Sequence, residues 1–198
     1  MGKAEENKKI KRTALLSHAF SLFVNNGIAN TSISDITNKA GVAKGTFYFY
    51  FRDKEDLIQK LVYQKGEQLL HNSLNELKKQ GDMSVEDSIV FIADDLIKQL
   101  SDDTKLLKFI NKNLSAGIYK KAIENNTESD ILTNFYELIE KDGSKWNHPL
   151  LMLYTIVELV SSTCHTILLD NEPVDYETYK PYLFQCIRNI ISVFKIEQ

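Results

Sequence analysis

Apolar residues recur at the spacing of an α-helix along almost the whole chain. The first such stretch, residues 10–25, places its apolar side chains so that they share one helix face: Leu15, Leu16, Ala19, Phe20 and Phe23. Asn26-Gly27 follows, and glycine there is typical of a helix end, because it adopts the left-handed conformation without strain. No run of alternating apolar and polar residues indicates a strand. We therefore expect an all-α protein.

Helix-starting signals divide this pattern into elements. An Asp stands three positions after each of Ser32, Asp53 and Ser84, and such pairs cap the N-termini of helices. They predict a short helix from Ser32 to about Ala40, a long helix from Asp53 to near Gly81, and a further helix capped by Ser84.

More helices complete the count. Gly41 interrupts the pattern, and a second short helix is expected over 43–50. Later helices are expected over 104–113, over 116–141 with an interruption near Asn125, over 149–169, and from Asp175 towards the C-terminus. The chain should therefore contain about nine helices.

Composition and charge narrow the class of protein. Hydrophobic residues make up 43% and charged residues 26% of the 198-residue chain, as in ordinary globular proteins. The net charge is −3, but residues 1–65 carry +5, from 11 Lys and Arg against 6 Asp and Glu. The rest carries −8, from 13 against 21. A basic end on an acidic body suits a protein that meets a polyanion with one end only.

Membrane and secretion signals are not evident. The N-terminal residues lack the apolar stretch of a secretory signal. The longest apolar stretch, 150–169, contains polar groups that a membrane span rarely tolerates: Glu158, Ser161, Ser162 and His165. We expect a cytoplasmic protein.

The two short helices around Gly41-Val42 have the spacing of a helix-turn-helix. One set of side chains would pack inward on the first helix: Ile36, Ala40, Val42 and Phe47. Another set would point outward: Lys44, Thr46, Tyr48 and Tyr50. Lysine, threonine and tyrosine hydroxyls can contact phosphates and base edges in a DNA major groove. Gly45 would let the backbone approach a phosphate, and Lys54 could hold a phosphate at the start of the fourth helix.

The run TSISDITNKAGVAKGTFYFYFRDKEDLIQKL resembles the headpiece of TetR-family regulators, and Ala19-Phe20, Phe23 and Asn26-Gly27 extend the match upstream. The resemblance implies a homodimeric repressor that binds a palindromic operator and is released by a small molecule. It also implies DNA contacts at Ser32, Ser34, Lys44, Gly45, Thr46, Tyr48, Tyr50 and Lys54. At Tyr50 many family members have histidine, so this contact is the one most open to change.

The fold class expected is therefore all-α, with an N-terminal three-helix helix-turn-helix domain and a helical regulatory and dimerisation domain. We assign 1–53 to the DNA-binding domain, 54–81 to a connecting helix, and 82–198 to effector binding and dimerisation. The resemblance implies that the last two long helices form a four-helix bundle between two subunits.

A ligand site in the body rests on fewer observations. Aromatic residues could line an apolar pocket, and a polar stripe on the helix over 149–169 could meet a ligand. The candidate residues are Phe91, Phe109, Tyr119, Trp146, Tyr154, Glu158, Ser162 and His165. Core packing explains the aromatic residues equally well, and the polar stripe could instead lie at the dimer interface or in solvent.

Three functions remain open at this point. The first is a ligand-responsive repressor, the second a ligand-independent or architectural DNA-binding protein, and the third an all-helical enzyme. No catalytic or nucleotide-binding motif supports the enzyme, and neither the four His nor Cys164 and Cys186 show metal-ligand spacing. We therefore expect no enzymatic activity, cofactor or metal. An enclosed cavity in the body would favour the first function over the second.

Overall fold

The computed structural model describes residues 2–110, 130–141 and 143–196. Within these ranges the chain forms nine α-helices and no strand beyond an isolated bridge between Trp146 and Lys195. The helices are α1 (Lys3–Asn26), α2 (Ile33–Lys39), α3 (Lys44–Tyr50), α4 (Lys54–Leu77), α5 (Val85–Asp102), α6 (Thr104–Ile110), α7 (Asp130–Ile139), α8 (Pro149–Asp170) and α9 (Tyr176–Phe194). The expected all-α class is confirmed. Residues 111–129, with the candidate Tyr119, lie outside the described residues.

The chain divides into two compact units, Met1–Val62 and Tyr63–Gln198, with the division inside α4. We call them the head unit and the body unit. The assignment of 54–81 to a separate connecting helix remains a prediction.

Helix α1 begins at Lys3, seven residues before the start expected from its apolar pattern. Its first turns are polar all round, so hydrophobic periodicity does not reveal them. Glu5 and Glu6 lie in the first turn, where carboxylates are favoured by the helix dipole, and Glu5 pairs with Lys8 at 3.8 Å. Charge placement rather than apolar burial therefore extends this helix.

The head unit is built around an apolar core between α1, α2, α3 and the first turns of α4. Its buried side chains are Leu15, Leu16, Ala19, Phe23, Ile36, Phe47, Phe51, Leu57, Ile58, Leu61 and Val62. Gly41 allows the tight turn between α2 and α3, because its φ of +65° is strained for other residues. Ala40 and Val42, expected to point inward, are half-buried beside this turn.

The body unit packs α8 along α9, and α5 against α9. The centre of α9 faces inward with Leu183, Ile187 and Ile191 fully buried. The segment before α8 is tied to this core, since the indole N–H of Trp146 donates to the Ile139 carbonyl at 2.7 Å. The backbone N–H of Asn147 donates to the Phe194 carbonyl at 2.8 Å.

Helix α8 is long and apolar enough, by length and composition alone, to cross a membrane, and it is the one such helix among the described residues. It packs against α5, α6 and α9 within the body unit. We therefore describe it as a helix of the body unit.

Candidate DNA-binding surface and ligand cavity

Helix α3 separates its residues into an inner and an outer face. Phe47 is fully buried, and its ring lies 5.4 Å from that of Phe51, between centroids. The next two side chains point outward, with exposed fractions of 53% for Tyr48 and 67% for Phe49. A short helix with one apolar face and one exposed aromatic face cannot be explained by core packing alone.

The predicted contact residues on α3 lie at or near this outer face. Lys44, Gly45 and Tyr48 are exposed, whereas Thr46 and Tyr50 are half-buried. Lys44 is the first residue of the helix, so it stands at the end of α3 where backbone N–H groups of the first turn lack helical partners. Together these groups present hydrogen-bond donors and positive charge on one side of α3.

Helix α2 presents Ser34 to solvent, while Ser32 has a structural partner. Ser32 and Asp35 form a capping box in which the Ser32 hydroxyl donates to the Asp35 carboxylate at 2.6 Å. The Asp35 backbone N–H donates in return to the Ser32 hydroxyl oxygen at 3.1 Å. Hydrogen bonds from the Ser32 hydroxyl and backbone hold the pKa of Asp35 below its ordinary value. The hydroxyl oxygen of Ser32 retains acceptor capacity only, because its proton is used within the cap.

Lys54 has a role that sequence reasoning did not foresee. Its ammonium donates to the carbonyls of Ile28 at 2.9 Å and Thr31 at 3.1 Å. These bonds join the connection between α1 and α2 to the start of α4. Thr31, in that connection, is buried. The predicted phosphate contact would use the one ammonium proton that these two bonds leave over.

Two outer residues were not among the predicted contacts. The Lys8 ammonium lies 5.9 Å from the centre of the exposed Phe49 ring. Phe49 stands two positions from both Phe47 and Phe51, and a helical turn of 3.6 residues places it on the opposite face. That spacing is visible in the sequence and could have identified Phe49. Lys8 could not be found, because the helical start of α1 was not evident.

Neither the backbone conformation nor the packing of the described residues requires a glycine at position 45. Its backbone is helical, and a Cβ added there would meet no heavy atom within 4 Å. Glycine in a helix costs about 0.5–1 kcal/mol relative to alanine. An outside partner that approaches the backbone closely would explain this residue.

We therefore expect Gly45→Ala to raise the free energy of unfolding by about 0.5–1 kcal/mol while weakening DNA binding about tenfold or more. Stability increases because the unfolded chain has less backbone entropy with alanine than with glycine. DNA affinity decreases because the added methyl group lies where the DNA backbone would approach. Chemical denaturation and fluorescence anisotropy with labelled DNA measure the two effects. Unchanged DNA affinity would show that no backbone approach occurs at this position.

The body unit contains an apolar cavity of about 160 Å³. Helices α4 to α8 contribute to its wall, mainly through leucine, isoleucine and valine side chains. Gly66, Leu69, Leu70 and Leu74 bring the second half of α4 to this wall. The polar side chains at the wall are Asn134, Ser161, Cys164 and His165.

His165 is the residue of the predicted ligand set that lines this cavity. The other described members lie elsewhere. Tyr154 and Ser162 are exposed on α8, Glu158 and Phe91 are half-buried, and Phe109 is buried outside the lining. Trp146 is held by the Ile139 carbonyl, with the Lys195 ammonium 5.5 Å from its ring centre. The ligand role of these residues remains a prediction.

The predicted polar stripe of α8 divides into two stripes. Ser161 and His165, one turn apart, face the cavity, whereas Glu158 and Ser162 face away from it. The buried Nδ1 of His165 has no hydrogen-bond partner within the described structure. A buried polar atom without a partner costs about 1–3 kcal/mol, so this nitrogen marks a position where a ligand group would be favourable.

Cys164 lies at the same wall, and its thiol is unreactive at neutral pH. Burial raises the pKa of its thiol to about 11, and the hydrogen bond with Thr163 opposes this only in part. The thiol therefore stays protonated at neutral pH, in the unreactive form. Among the described residues no group of three His, Cys, Asp or Glu side chains could hold a metal ion.

The helix-turn-helix with its exposed α3 face and the helical body unit together define a DNA-binding regulator of transcription. Residues 15–61 match the model of the tetR family of bacterial regulatory proteins. These residues of the head unit are therefore a DNA-binding domain of the TetR type.

Similar proteins extend the match along the chain. The HTH-type transcriptional regulator YvdT of Bacillus subtilis (strain 168), itself uncharacterized, is 29% identical over 200 residues, covering 92% of this chain and 95% of YvdT. The fatty acid degradation regulator FadR of Bacillus halodurans shares the fold, with 20% identity, a TM-score of 0.59 and coverage of 90% of this chain and 94% of FadR. FadR of Bacillus subtilis, solved in complex with stearoyl-CoA, has 19% identity, a TM-score of 0.58 and coverage of 91% and 97%.

Proposed function

We propose that this protein is a homodimeric transcriptional repressor that binds a palindromic operator and is released when a small molecule occupies the body cavity. The observation that carries the proposal is the apolar cavity, because part of its wall is α4. The same helix begins in the head unit, where Leu57 and Leu61 are buried. A ligand that displaces the second half of α4 therefore acts on a helix that the DNA-binding unit also contains.

The outer face of α3 is the proposed reading surface. Lys44 contacts phosphate or guanine, and Tyr48 donates its hydroxyl to a phosphate. Gly45 admits the DNA backbone, Thr46 contacts a base edge, and Phe49 adds an apolar contact. Ser32, Ser34, Tyr50 and Lys54 position the unit on the DNA backbone. The charge of +5 over residues 1–65 supports this orientation.

Selection of bound sequences from random DNA tests this reading. The wild-type protein is expected to enrich a palindrome whose half-sites lie one or more helical turns apart. Lys44→Ala and Tyr48→Ala should lose that enrichment, because each removes a donor from the outer face of α3. Full retention of specific binding by both variants would remove the contact assignment.

Dimerisation is proposed through α8 and α9. The outer side of α9 carries Tyr182, Cys186, Asn189 and Val193 as a stripe at helical spacing, all of them exposed. On α8, Leu151 and Tyr154 are exposed large apolar residues. Pairing of two such surfaces about a two-fold axis would bury them, and two-fold pairing is the commonest arrangement of homodimers.

Val193→Asp is expected to convert the dimer to a folded monomer. Val193 is 77% exposed in the single chain, so the carboxylate is solvated in the monomer, and its place in the last turn of α9 costs the fold only about 0.3–1 kcal/mol. In the dimer two buried carboxylates would face the interface, which should weaken association by about 100-fold or more. Analytical ultracentrifugation measures the association, and circular dichroism checks the helix content. Thr133→Asp, at an exposed position of α7, is the matched control and should remain dimeric.

An effector is favoured over a ligand-independent function by two observations. One is the apolar cavity, which is partly open rather than enclosed, and the other is the stearoyl-CoA bound by the FadR structure of Bacillus subtilis, which has the same fold. A ligand that stabilises a body conformation unsuited to the operator would lower DNA affinity by a coupling of about 1–3 kcal/mol. We infer a cytoplasmic protein without enzymatic activity, since its relatives are transcriptional regulators.

A further inference from the structure

The described wall of the cavity is almost entirely apolar. Of its described side chains, none is Asp, Glu, Lys or Arg, and most are leucine, isoleucine or valine. Among the described residues of this wall, a charged ligand group would find no fixed partner of opposite charge. Removal of an ion from water costs several kcal/mol unless it is paired, so such a wall selects against carboxylates and ammonium groups.

Among the described residues of the wall, the buried Nδ1 of His165 is the side-chain N or O atom that lacks a hydrogen-bond partner. The neighbouring Ser161 already donates its hydroxyl to the Glu158 carbonyl at 3.4 Å. An imidazole Nδ1 donates or accepts according to its tautomer, and a hydroxyl group can serve either one. The position therefore fits a ligand with a single hydroxyl.

The cavity is partly open to solvent, and the volume of its interior indicates the size of the ligand part that it holds. An apolar cavity of about 150 Å³ in another protein stays dry and binds benzene. The cavity of about 160 Å³ in this protein is of the same order. A single substituted ring or a short alkyl chain fills such a space, whereas several fused rings exceed it.

We propose that the cavity binds an uncharged, mainly apolar molecule of the alkylphenol or short-chain alcohol class, with its hydroxyl on the Nδ1 of His165. The proposal rests on the proposed function in taking this cavity as the effector site. It names the chemistry of the ligand, and its test needs no DNA.

Isothermal titration of the DNA-free, full-length protein with three matched probes tests the ligand class. The probes are para-ethylphenol, ethylbenzene and para-ethylbenzoate, which differ in the group that would meet His165. Para-ethylphenol is expected to bind about tenfold more tightly than ethylbenzene, because it gains one hydrogen bond. Para-ethylbenzoate should bind at least about tenfold more weakly than para-ethylphenol, because its charge has no partner.

Variants at His165 test the position of the hydroxyl. His165→Leu should lose the preference for para-ethylphenol and keep the affinity for ethylbenzene within about threefold. His165→Asn should keep the preference, since its amide lies near the position of Nδ1, and it also guards against a folding defect in the leucine variant. Ala93→Phe, which fills the cavity from α5, should abolish binding of both probes.

Three results would overturn the ligand class: tightest binding of the benzoate, equal binding of the phenol and ethylbenzene, or no binding of any probe. Binding of the phenol without release of DNA would instead contradict the effector mechanism and leave the ligand class intact. Release of DNA by a charged ligand that binds this cavity would contradict the ligand class and leave the effector mechanism intact.

Discussion

Phe47→Ala is expected to destabilise the head unit by about 3–5 kcal/mol, the usual cost of removing a buried phenylalanine. Phe47 is fully buried on the inner face of α3, and its ring packs on Phe51. A unit of about 60 residues has only a few kcal/mol of stability to lose. The variant should therefore lose DNA binding through unfolding of the head unit, which hydrogen exchange of residues in α1 to α3 measures directly.

Tyr48→Ala is the matched control one residue away. Tyr48 is more than half exposed, so its truncation should change the free energy of unfolding by about 1 kcal/mol or less. Its DNA affinity should nevertheless fall, because the phenol hydroxyl is on the proposed reading face. Equal loss of stability in the two variants would contradict the division of α3 into a core face and a DNA face.

Asp94→Ala is expected to destabilise the body unit by about 2–3 kcal/mol, because it removes the common partner of three donors. The Asp94 carboxylate accepts from the Tyr176 hydroxyl at 2.9 Å, and it pairs with Lys180 at 2.8 Å and Lys98 at 2.9 Å. The bonds with Tyr176 and Lys180 join α5 to the first turns of α9, and the bond with Lys98 lies within α5. Denaturation by urea measures the change. Lys98→Ala, which removes the most exposed of the three donors, should cost about 1 kcal/mol or less.

The same carboxylate predicts a dependence of stability on pH. Burial would raise the pKa of Asp94, but hydrogen bonds from Lys180, Lys98 and Tyr176 outweigh it and hold the pKa below its ordinary value. The unfolded chain therefore takes up the proton first as the pH falls. The contribution of Asp94 is complete above its unfolded pKa of about 3.9 and is lost as the pH falls further. The difference in stability between wild type and Asp94→Asn should shrink over the same range, and a constant difference would contradict this role.

Much of the head unit could be predicted from the sequence, because its signals are local. The capping pairs that begin with Ser32 and Ser84 mark the starts of α2 and α5 within one residue. Gly41 marks the turn between α2 and α3, and the spacing of Phe47 and Phe51 marks the inner face of α3. Local chemistry alone decides these features, so a single sequence contains them.

Features that depend on distant residues could not be predicted in the same way. The bonds from Lys54 to Ile28 and Thr31 join residues more than 20 positions apart, and nothing in the local sequence indicates them. The polar residues of α8 share one stripe by spacing, yet the packing of α8 separates His165 from Glu158. Only the arrangement of several helices decides which side of α8 faces the cavity.

The cavity was the least predictable part of the site. Aromatic side chains were expected at its wall, but it is formed mainly by leucine, isoleucine and valine from five helices. Each of these residues is equally typical of a solid core. The volume left between them depends on how the helices pack, which apolar periodicity does not determine.

Binding of a ligand in the cavity and binding of DNA on α3 are expected to oppose each other. The most direct test is the affinity of para-ethylphenol for the free protein and for the protein saturated with its selected operator. Thermodynamic linkage requires that the ligand and the DNA lower each other's affinity for the protein by the same factor. A coupling of about 1–3 kcal/mol corresponds to a factor of about 5–150. Para-ethylphenol should therefore bind the operator complex more weakly than the free protein, by a factor in that range. Equal affinity for the two states would contradict it.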